Sequence, residues 1–271
     1  MIVAACSFFA GLLGALTGLG GGVIVVPLLA LGLKVDIHYA IGASLVSVIA
    51  TSSGAAAAYV REGFSNVRIG MFLEVATTLG ALTGAFLALG TPTKAIAIIF
   101  GVVLLVSAAI SNRKKPARVA DVAPDPLAVR LKLNGSYPGE SGVISYNTRR
   151  VPLGFGLMYA AGTLSGLLGI GSGAVKVLAM DEAMQLPFKV STTTSNFMIG
   201  VTAAASAGVY LSRGYINPAI ATPVTLGVLA GSLLGAKFLV KARTPIIRVV
   251  FAVVVAALGA EMIYSGWTGR L

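Results

Sequence analysis

Apolar runs of about 20 residues, the length that spans a bilayer as a helix, recur along almost the whole chain. Hydrocarbon offers no hydrogen-bond partner, so a crossing segment must satisfy its backbone N–H and C=O groups internally. Only 11% of the 271 residues are charged, which is too few to cover a soluble domain of this length. The sequence therefore predicts an all-α polytopic membrane protein. Its apolar segments lie roughly at 2–19, 23–33, 37–60, 67–90 and 94–111, and again at 152–170, 174–180, 190–211, 217–240 and 245–266.

The second set of apolar segments repeats the first in the same order. Sliding the chain against itself by 151 residues aligns "AGLLGALTGLGGGVIVV" (10–26) with "AGTLSGLLGIGSGAVKV" (161–177). The same register, without a gap, places Ser44 on Ser195. Shared composition does not explain one gapless register, so two homologous repeats are predicted. Secondary transporters are commonly built from such repeats, with the substrate site at their interface.

A polar stretch, 112–150, separates a first transmembrane repeat, 1–111, from a second, 151–271. Lys and Arg accumulate on the cytoplasmic side of membrane proteins, so this basic stretch is predicted to be cytoplasmic. Apolar and polar residues alternate over 127–147, with Asn-Gly and Pro-Gly turn signals, which predicts a small β-hairpin. The hairpin is interpreted as part of a solvated linker, with a regulatory or partner-binding role as the alternative.

Cations near the ends of the apolar segments favour an inverted arrangement of the two repeats. If each half crossed four times, the halves would be parallel and the basic segment 237–248 would lie outside. If each half has about four spanning helices plus a glycine-broken short or re-entrant segment, the halves are inverted and this segment lies inside. The positive-inside rule favours the inverted arrangement.

The consecutive glycines Gly20–Gly22 lie between the first apolar segment and the short segment that follows it. A matching interruption occurs at Gly171–Gly173 in the second half. Close helix packing uses small residues at every fourth position, so consecutive glycines indicate broken helices instead. A break frees backbone N–H groups and creates a helix N-terminus with partial positive charge, which suits an anion. Separated glycines are predicted to serve helix packing: Gly11, Gly80, Gly84, Gly231 and Gly235.

Hydroxyl and amide side chains follow each break, as in "KVSTTTSNFMIGVT" (189–202). They donate hydrogen bonds without a fixed charge, so a bound anion can still leave. The alternative for each hydroxyl is a bond to a carbonyl of its own helix. The predicted substrate-binding residues are Gly20, Gly21, Gly22, Ser44, Thr51, Gly171, Ser172, Gly173, Lys176, Thr194, Ser195 and Asn196.

Lys176 is an ionisable residue within an apolar segment, and such residues are functional candidates by default. It is predicted to attract the anion or to lose a proton in coupling. The alternative is that it snorkels to the interface or pairs with Asp181 or Glu182. Glu74 is interpreted as a snorkelling residue in preference to a proton relay, and His38 as a surface residue.

The sequence contains no metal-ligand cluster, no nucleophile–base set and no GxxxxGK[ST] motif. We therefore predict no catalytic residues, no metal, no cofactor and no direct use of ATP, so the chain is not expected to be an enzyme. The net charge of +11 follows the membrane pattern and not that of a nucleic-acid-binding patch. The predicted partners are a small anionic substrate and membrane lipid, with a homo-oligomer left open.

Four stretches resemble the TauE/SafE family of sulfite and organosulfonate exporters. They are "LTGLGGGVIVVPLLALG" (16–32), "SGLLGIGSGAVKV" (165–177), "KVSTTTSNFMIGVTAA" (189–204) and "VYLSRGYINPAIATPVTLGVLAGSLLGAKF" (209–238). Ser172 departs from the family pattern, which usually has a third glycine there. The resemblance implies a cell-membrane secondary transporter of a small sulfur-containing anion such as sulfite, thiosulfate or an organosulfonate. An anion channel with the same lining, or a transporter of another small organic anion, is the alternative.

Overall fold

The computed structural model describes residues 2–17, 21–61, 65–111, 125–139, 142–239 and 244–270. Their first half contains α1 (Ile2–Thr17), α2 (Gly22–Pro27), α3 (Ile37–Arg61), α4 (Val67–Gly90) and α5 (Thr93–Ser111). A short α6 (Pro126–Arg130) and the strands β1 (Gly135–Gly139) and β2 (Gly142–Tyr146) follow. The second half contains α7 (Val151–Leu168), α8 (Gly173–Leu178), α9 (Phe188–Ser212), α10 (Pro218–Leu239) and α11 (Thr244–Thr268). One π-helical turn follows α2 at Leu28–Gly32 and another follows α8 at Ala179–Ala183.

Within the described ranges, α4 and α7 are long and apolar enough to cross a membrane by length and composition. Shorter apolar stretches lie in six other helical segments. The outward side chains of α4 are themselves large and apolar: Met71, Val75, Leu79, Phe86 and Leu87. An outer surface of this kind suits lipid and not water, because extended exposed apolar patches are rare on soluble monomers. The predicted all-α membrane class is therefore consistent with the structure.

Glycines bring α4 and α7 into direct backbone contact. A Cβ atom on Gly80 or Gly84 would overlap the carbonyl oxygen of Tyr159 or Thr163, respectively, on α7. Gly11 and Gly231 play the same part between α1 and α10. The prediction that these separated glycines serve packing is confirmed for all four. The surroundings of Gly235 lie outside the described side chains.

Helix pairing remains the same when the two halves are exchanged. α1 packs on α10 as α7 packs on α4, and α2 packs on α3 as α8 packs on α9. α4 likewise packs on α9 as α10 packs on α3. Two further large contacts join a helix to the helix at the same place in the other half, α3 to α9 and α5 to α11. The order of elements after each break is also the same: a short helix, a π-helical turn and three long helices.

Helices that occupy the same place in the two halves, α3 with α9 and α5 with α11, run antiparallel to each other. On α5 and α11, a Cβ on Gly101 would meet the oxygen of Gly259, while one on Gly266 would lie 3.0 Å from the oxygen of Lys94. Early residues of one helix therefore face late residues of the other. The α3–α9 pair has the same sense. A Cβ on Gly42, early in α3, would meet the oxygen of Tyr215 just after α9, whereas Gly200 in the middle of α9 faces Ser52, farther along α3.

The polar middle of the chain folds into the predicted hairpin, with β1 and β2 paired antiparallel from Gly135↔Tyr146 to Gly139↔Gly142. The predicted extent of 127–147 was too long at its start, because residues 126–130 form α6. Asp125 begins this helix by accepting a hydrogen bond from Leu127 N, an N-cap geometry that favours helix over strand. The amide of Asn66 donates to Tyr146 Oη at 2.7 Å, which ties the hairpin to the loop before α4.

Candidate functional site

The two glycine breaks meet in the interior of the helix bundle. A Cβ on Gly22 would lie 2.8 Å from Ser44 Oγ and 3.1 Å from the oxygen of Gly169. Ser44 Oγ in turn donates to that same Gly169 oxygen at 2.8 Å. Gly21 and Gly22 are buried, whereas Gly20 lies outside the described residues. The break before α2 therefore touches the break before α8 through one buried hydroxyl.

The second break is built from left-handed backbone. Gly169, Gly171 and Ser172 have φ angles of 68°, 70° and 43°. The left-handed conformation costs a non-glycine residue roughly 1–2 kcal/mol, so Ser172 is strained where glycine would not be. Its side chain is 3% exposed, and its Oγ has no hydrogen-bond partner among the described residues. A buried hydroxyl without a partner is uncommon in folded proteins.

The first break has a different backbone. Gly21, which precedes α2, has right-handed dihedrals of φ −65° and ψ −21°, in contrast to the left-handed Ser172 before α8. The oxygen of Gly21 accepts the N–H groups of Ile24 and Val25 at 3.1 Å. The residues directly before α2 and α8 therefore occupy matching places in the chain but have different backbone conformations.

The predicted hydroxyl cluster on α9 divides between two surroundings. Ser195 Oγ donates to the oxygen of Gly173 at 3.3 Å, beside the second break. Thr194 Oγ1 instead accepts from the backbone N–H of Asn66, at the start of α4. Consecutive helix residues point about 100° apart, given 3.6 residues per turn, so the cluster does not line one surface. Asn196 is half-buried.

Thr51 bonds to carbonyl groups of its own helix, which was the alternative to anion binding. Its Oγ1 donates to carbonyl oxygens of its own helix, Ser47 at 3.1 Å and Val48 at 3.2 Å. Gly171 and Gly173 are buried on either side of Ser172, and a Cβ on Gly171 would lie 2.9 Å from Ile199 of α9. Gly22, Ser44 and Gly169 form the contact between the breaks, while Ser172 and Ser195 lie at the second break.

Lys176 is fully buried. Its Nζ donates to Thr202 Oγ1 at 2.5 Å, and Glu74 is the charged residue that acts on it electrostatically. The alternative in which Lys176 snorkels to the interface is therefore wrong. Its helix α8 packs on α7 and α9, and the Lys176 side chain lies on the buried side of it.

Glu74 is likewise buried, with 8% of its surface exposed, and its interpretation as a snorkelling residue is wrong. Thr202 Oγ1 donates to Glu74 Oε1 at 2.7 Å, and Thr78 Oγ1 donates to the same oxygen at 3.3 Å. Glu74 Oε2 has no hydrogen-bond partner within the described part of the chain. Because α4 packs on α7 and α9, this face of the helix points inward.

Thr202 and Glu74 were absent from the residues predicted to form the site. The available signal was the presence of an acidic residue, Glu74, within an apolar segment. Glu74 lies close to the start of that segment, however, and this position favoured the interpretation that it snorkels to the membrane surface. His38 also departs from the prediction of a surface residue. Its side chain is only 12% exposed, it stacks on Tyr215, and its Nε2 lies 3.3 Å from the oxygen of Ala88.

Apolar helices around a buried polar centre define the protein as a helical membrane protein with an internal polar site. The sequence profile described as "Sulfite exporter TauE/SafE" matches residues 3–262. The chain belongs to this family of membrane transporters, which is a family of transporters and not of enzymes. It therefore resides in a membrane and handles a small-molecule substrate.

Two relatives from Bacillus subtilis (strain 168) support the same conclusion. The chain is 27% identical over 273 residues to "Probable membrane transporter protein YunE", an alignment that covers 98% of each chain. It is 28% identical over 240 residues to "Probable membrane transporter protein YdhB", covering 88% of this chain and 89% of the relative. No solved structure matches the chain significantly.

Proposed function

We propose that the protein is a secondary transporter of a small sulfur-containing anion, such as sulfite, thiosulfate or an organosulfonate, in the cell membrane. The observation that carries the proposal is the unpartnered, buried Ser172 hydroxyl in the second glycine break, which touches the first break through Ser44. The donors proposed for the anion are the Ser172 hydroxyl and the backbone N–H groups at the start of α8, which suit the oxygens of such an anion. The family profile, named for sulfite export, points to the same chemistry.

The proposed site takes its lining from both breaks. Gly21 and Gly22 contribute from the first, and Gly171, Ser172 and Gly173 from the second. Ser44 and Ser195 lie against the second break, and Lys176 follows it by one helical turn, with its N–H bonded to the oxygen of Ser172. Gly20 stays a prediction, and Thr51, Thr194 and Asn196 are proposed as outer residues of the site.

The two halves are proposed to be inverted repeats, 1–111 and 151–271. Support comes from the antiparallel contacts of α5 with α11 and of α3 with α9. A two-fold axis that relates antiparallel neighbours runs perpendicular to them, so for spanning helices it lies in the membrane plane. The linker 112–150 is then proposed to be cytoplasmic, on the same side as the cations of 237–248.

A binding and flux experiment tests the proposed function. Purified protein would be heated with sulfite, sulfate, thiosulfate or methanesulfonate, with chloride and neutral dimethyl sulfone as controls. At least one sulfur anion should raise the unfolding temperature, and its uptake into proteoliposomes should saturate and show counterflow. Stabilisation by the neutral sulfone alone would contradict the proposal. Flux without saturation or counterflow would instead indicate an anion channel with the same lining.

A further inference from the structure

The Lys176–Glu74 pair has no charged equivalent at the repeat-related positions. The register that aligns the repeats places Lys176 on Val25, Thr202 on Thr51 and Glu74 on Thr225. The set Val25, Thr51 and Thr225 carries no charge. Thr225 Oγ1 is shielded from solvent and lacks a hydrogen-bond partner in the described ranges. The halves are thus alike in their helix pairing and different in their buried charge.

The pair connects the second glycine break with both repeats. Lys176 lies on α8 directly after the break, Thr202 on α9, and Glu74 on α4 of the first repeat. Ile199, one turn before Thr202, lies against Gly171. An anion held at the break is therefore close to the ammonium group, and it competes with the Glu74 carboxylate for that charge.

Other charged groups on the surrounding elements lie toward the helix ends. The described residues of α4, α7, α8 and α9 carry two further cations, Arg68 and Lys189, and both are exposed. Arg68 donates to the oxygen of Lys132 in the linker. Among the tyrosines, Tyr159 of α7 is 42% exposed, and Tyr210 of α9 donates to the oxygen of Gly166. Asp181 and Glu182 belong to the π-helical turn after α8.

The charge balance of this centre decides what can enter it. A lysine ammonium and a glutamate carboxylate sum to zero, so a bound monoanion would leave one uncompensated negative charge in a buried site. Uncompensated buried charge is strongly unfavourable. A proton on Glu74 restores neutrality, because the lysine then balances the anion instead of the carboxylate.

We propose that Glu74 is the proton-binding site that couples transport, so that one proton moves with each monoanion. Water on one side supplies the proton, an O–H bond forms at the Glu74 carboxylate, and Lys176 turns its charge to the anion. On the other side the anion leaves, the O–H bond breaks, the proton returns to water, and the carboxylate attracts the lysine again. The inference rests on the proposed function and adds the coupling ion to it.

Proteoliposomes loaded with a pH-sensitive dye test this coupling. Methanesulfonate is the probe because its charge does not change near neutral pH, so any proton movement belongs to the protein. In the wild type, an inward methanesulfonate gradient should acidify the lumen. Glu74→Gln should still exchange labelled methanesulfonate in counterflow, while acidification falls to the level of protein-free vesicles. Glu261→Gln removes an exposed carboxyl group and should keep both activities.

Each outcome separates the inference from the function it rests on. Methanesulfonate flux with undiminished acidification in Glu74→Gln would overturn the inference and leave the proposed function intact. Wild-type flux without acidification would do the same. If none of methanesulfonate, sulfite, sulfate and thiosulfate moves in the wild type, the proposed function fails and the inference fails with it.

A second measurement covers the case in which Glu74→Gln does not fold. Methanesulfonate binding to the wild type should weaken as the pH rises, because the bound state carries one more proton. Glu74→Asp should move the midpoint of this pH dependence. An unchanged midpoint in Glu74→Asp would assign the proton to another group and overturn the inference.

Discussion

The charges of Lys176 and Glu74 are joined through the Thr202 hydroxyl, and removing one of them should reduce stability far more than removing both. Their side chains are 0% and 8% exposed, so neither charge is solvated when its partner is lost. Removing one member of a buried pair costs about 3–5 kcal/mol, whereas replacing both by neutral side chains of similar volume is often neutral or stabilising. Lys176→Met and Glu74→Gln should therefore each destabilise the fold by about that amount, and the double variant should lie near the wild type.

A double-mutant cycle measures this coupling as the departure of the double variant from the sum of the single variants. The free energy of unfolding would be measured by SDS titration in mixed micelles, without substrate, for the four proteins. We expect a coupling energy of about 3 kcal/mol or more. Single effects that simply add in the double variant would refute the argument, because they would show that the two charges do not interact. Methanesulfonate should partly rescue Glu74→Gln, since an anion beside the lysine replaces the lost carboxylate.

Three further predictions test the breaks, the packing and the topology. Gly22→Ala should abolish anion exchange, since its Cβ would lie 2.8 Å from a serine hydroxyl of α3; Gly32→Ala, with nothing within 4 Å, is the control and should remain active. An equal loss of anion exchange in Gly22→Ala and Gly32→Ala would count against the proposed anion site at the breaks. Gly166→Ala should lower the free energy of unfolding by about 1–3 kcal/mol, because its Cβ overlaps a carbonyl oxygen of α4, while Gly156→Ala meets open space and should not. A cysteine at Lys241, with Cys6 removed, should resist a membrane-impermeant thiol reagent added to intact cells, and rapid labelling would exclude the inverted arrangement.

Much of the fold was predictable from local sequence. Apolar runs predict helices because a bilayer leaves the backbone no other partner. The glycines Gly20–Gly22, and Gly171 and Gly173 on either side of Ser172, indicate where those helices break. Glycines four residues apart, such as Gly80 and Gly84, indicate packing faces, and their contacts are as expected. The hairpin was also predictable from its turn residues, although not the cap at Asp125 that begins α6.

The surroundings of the charged residues were not predictable in the same way. Lys176 and Glu74 lie about 100 residues apart, and only the packing of α8, α9 and α4 brings both to the one hydroxyl of Thr202. A position near a helix end suggests snorkelling. Whether the side chain snorkels depends on how the helix is rotated about its axis and on which neighbouring helix covers the face that carries the residue. No local sequence pattern encodes the rotation or the neighbour.

The sequence by itself determined the class of this protein and the positions at which its helices break. It also predicted the division into two repeats. These follow from composition, periodicity and backbone preference, which act over a few residues at a time. The tertiary structure alone decided that the two breaks touch through Ser44, that Thr194 faces α4, and that Lys176 and Glu74 share a buried centre. Those relations join residues distant in the chain, and they arise because buried polar groups must find partners wherever packing places them.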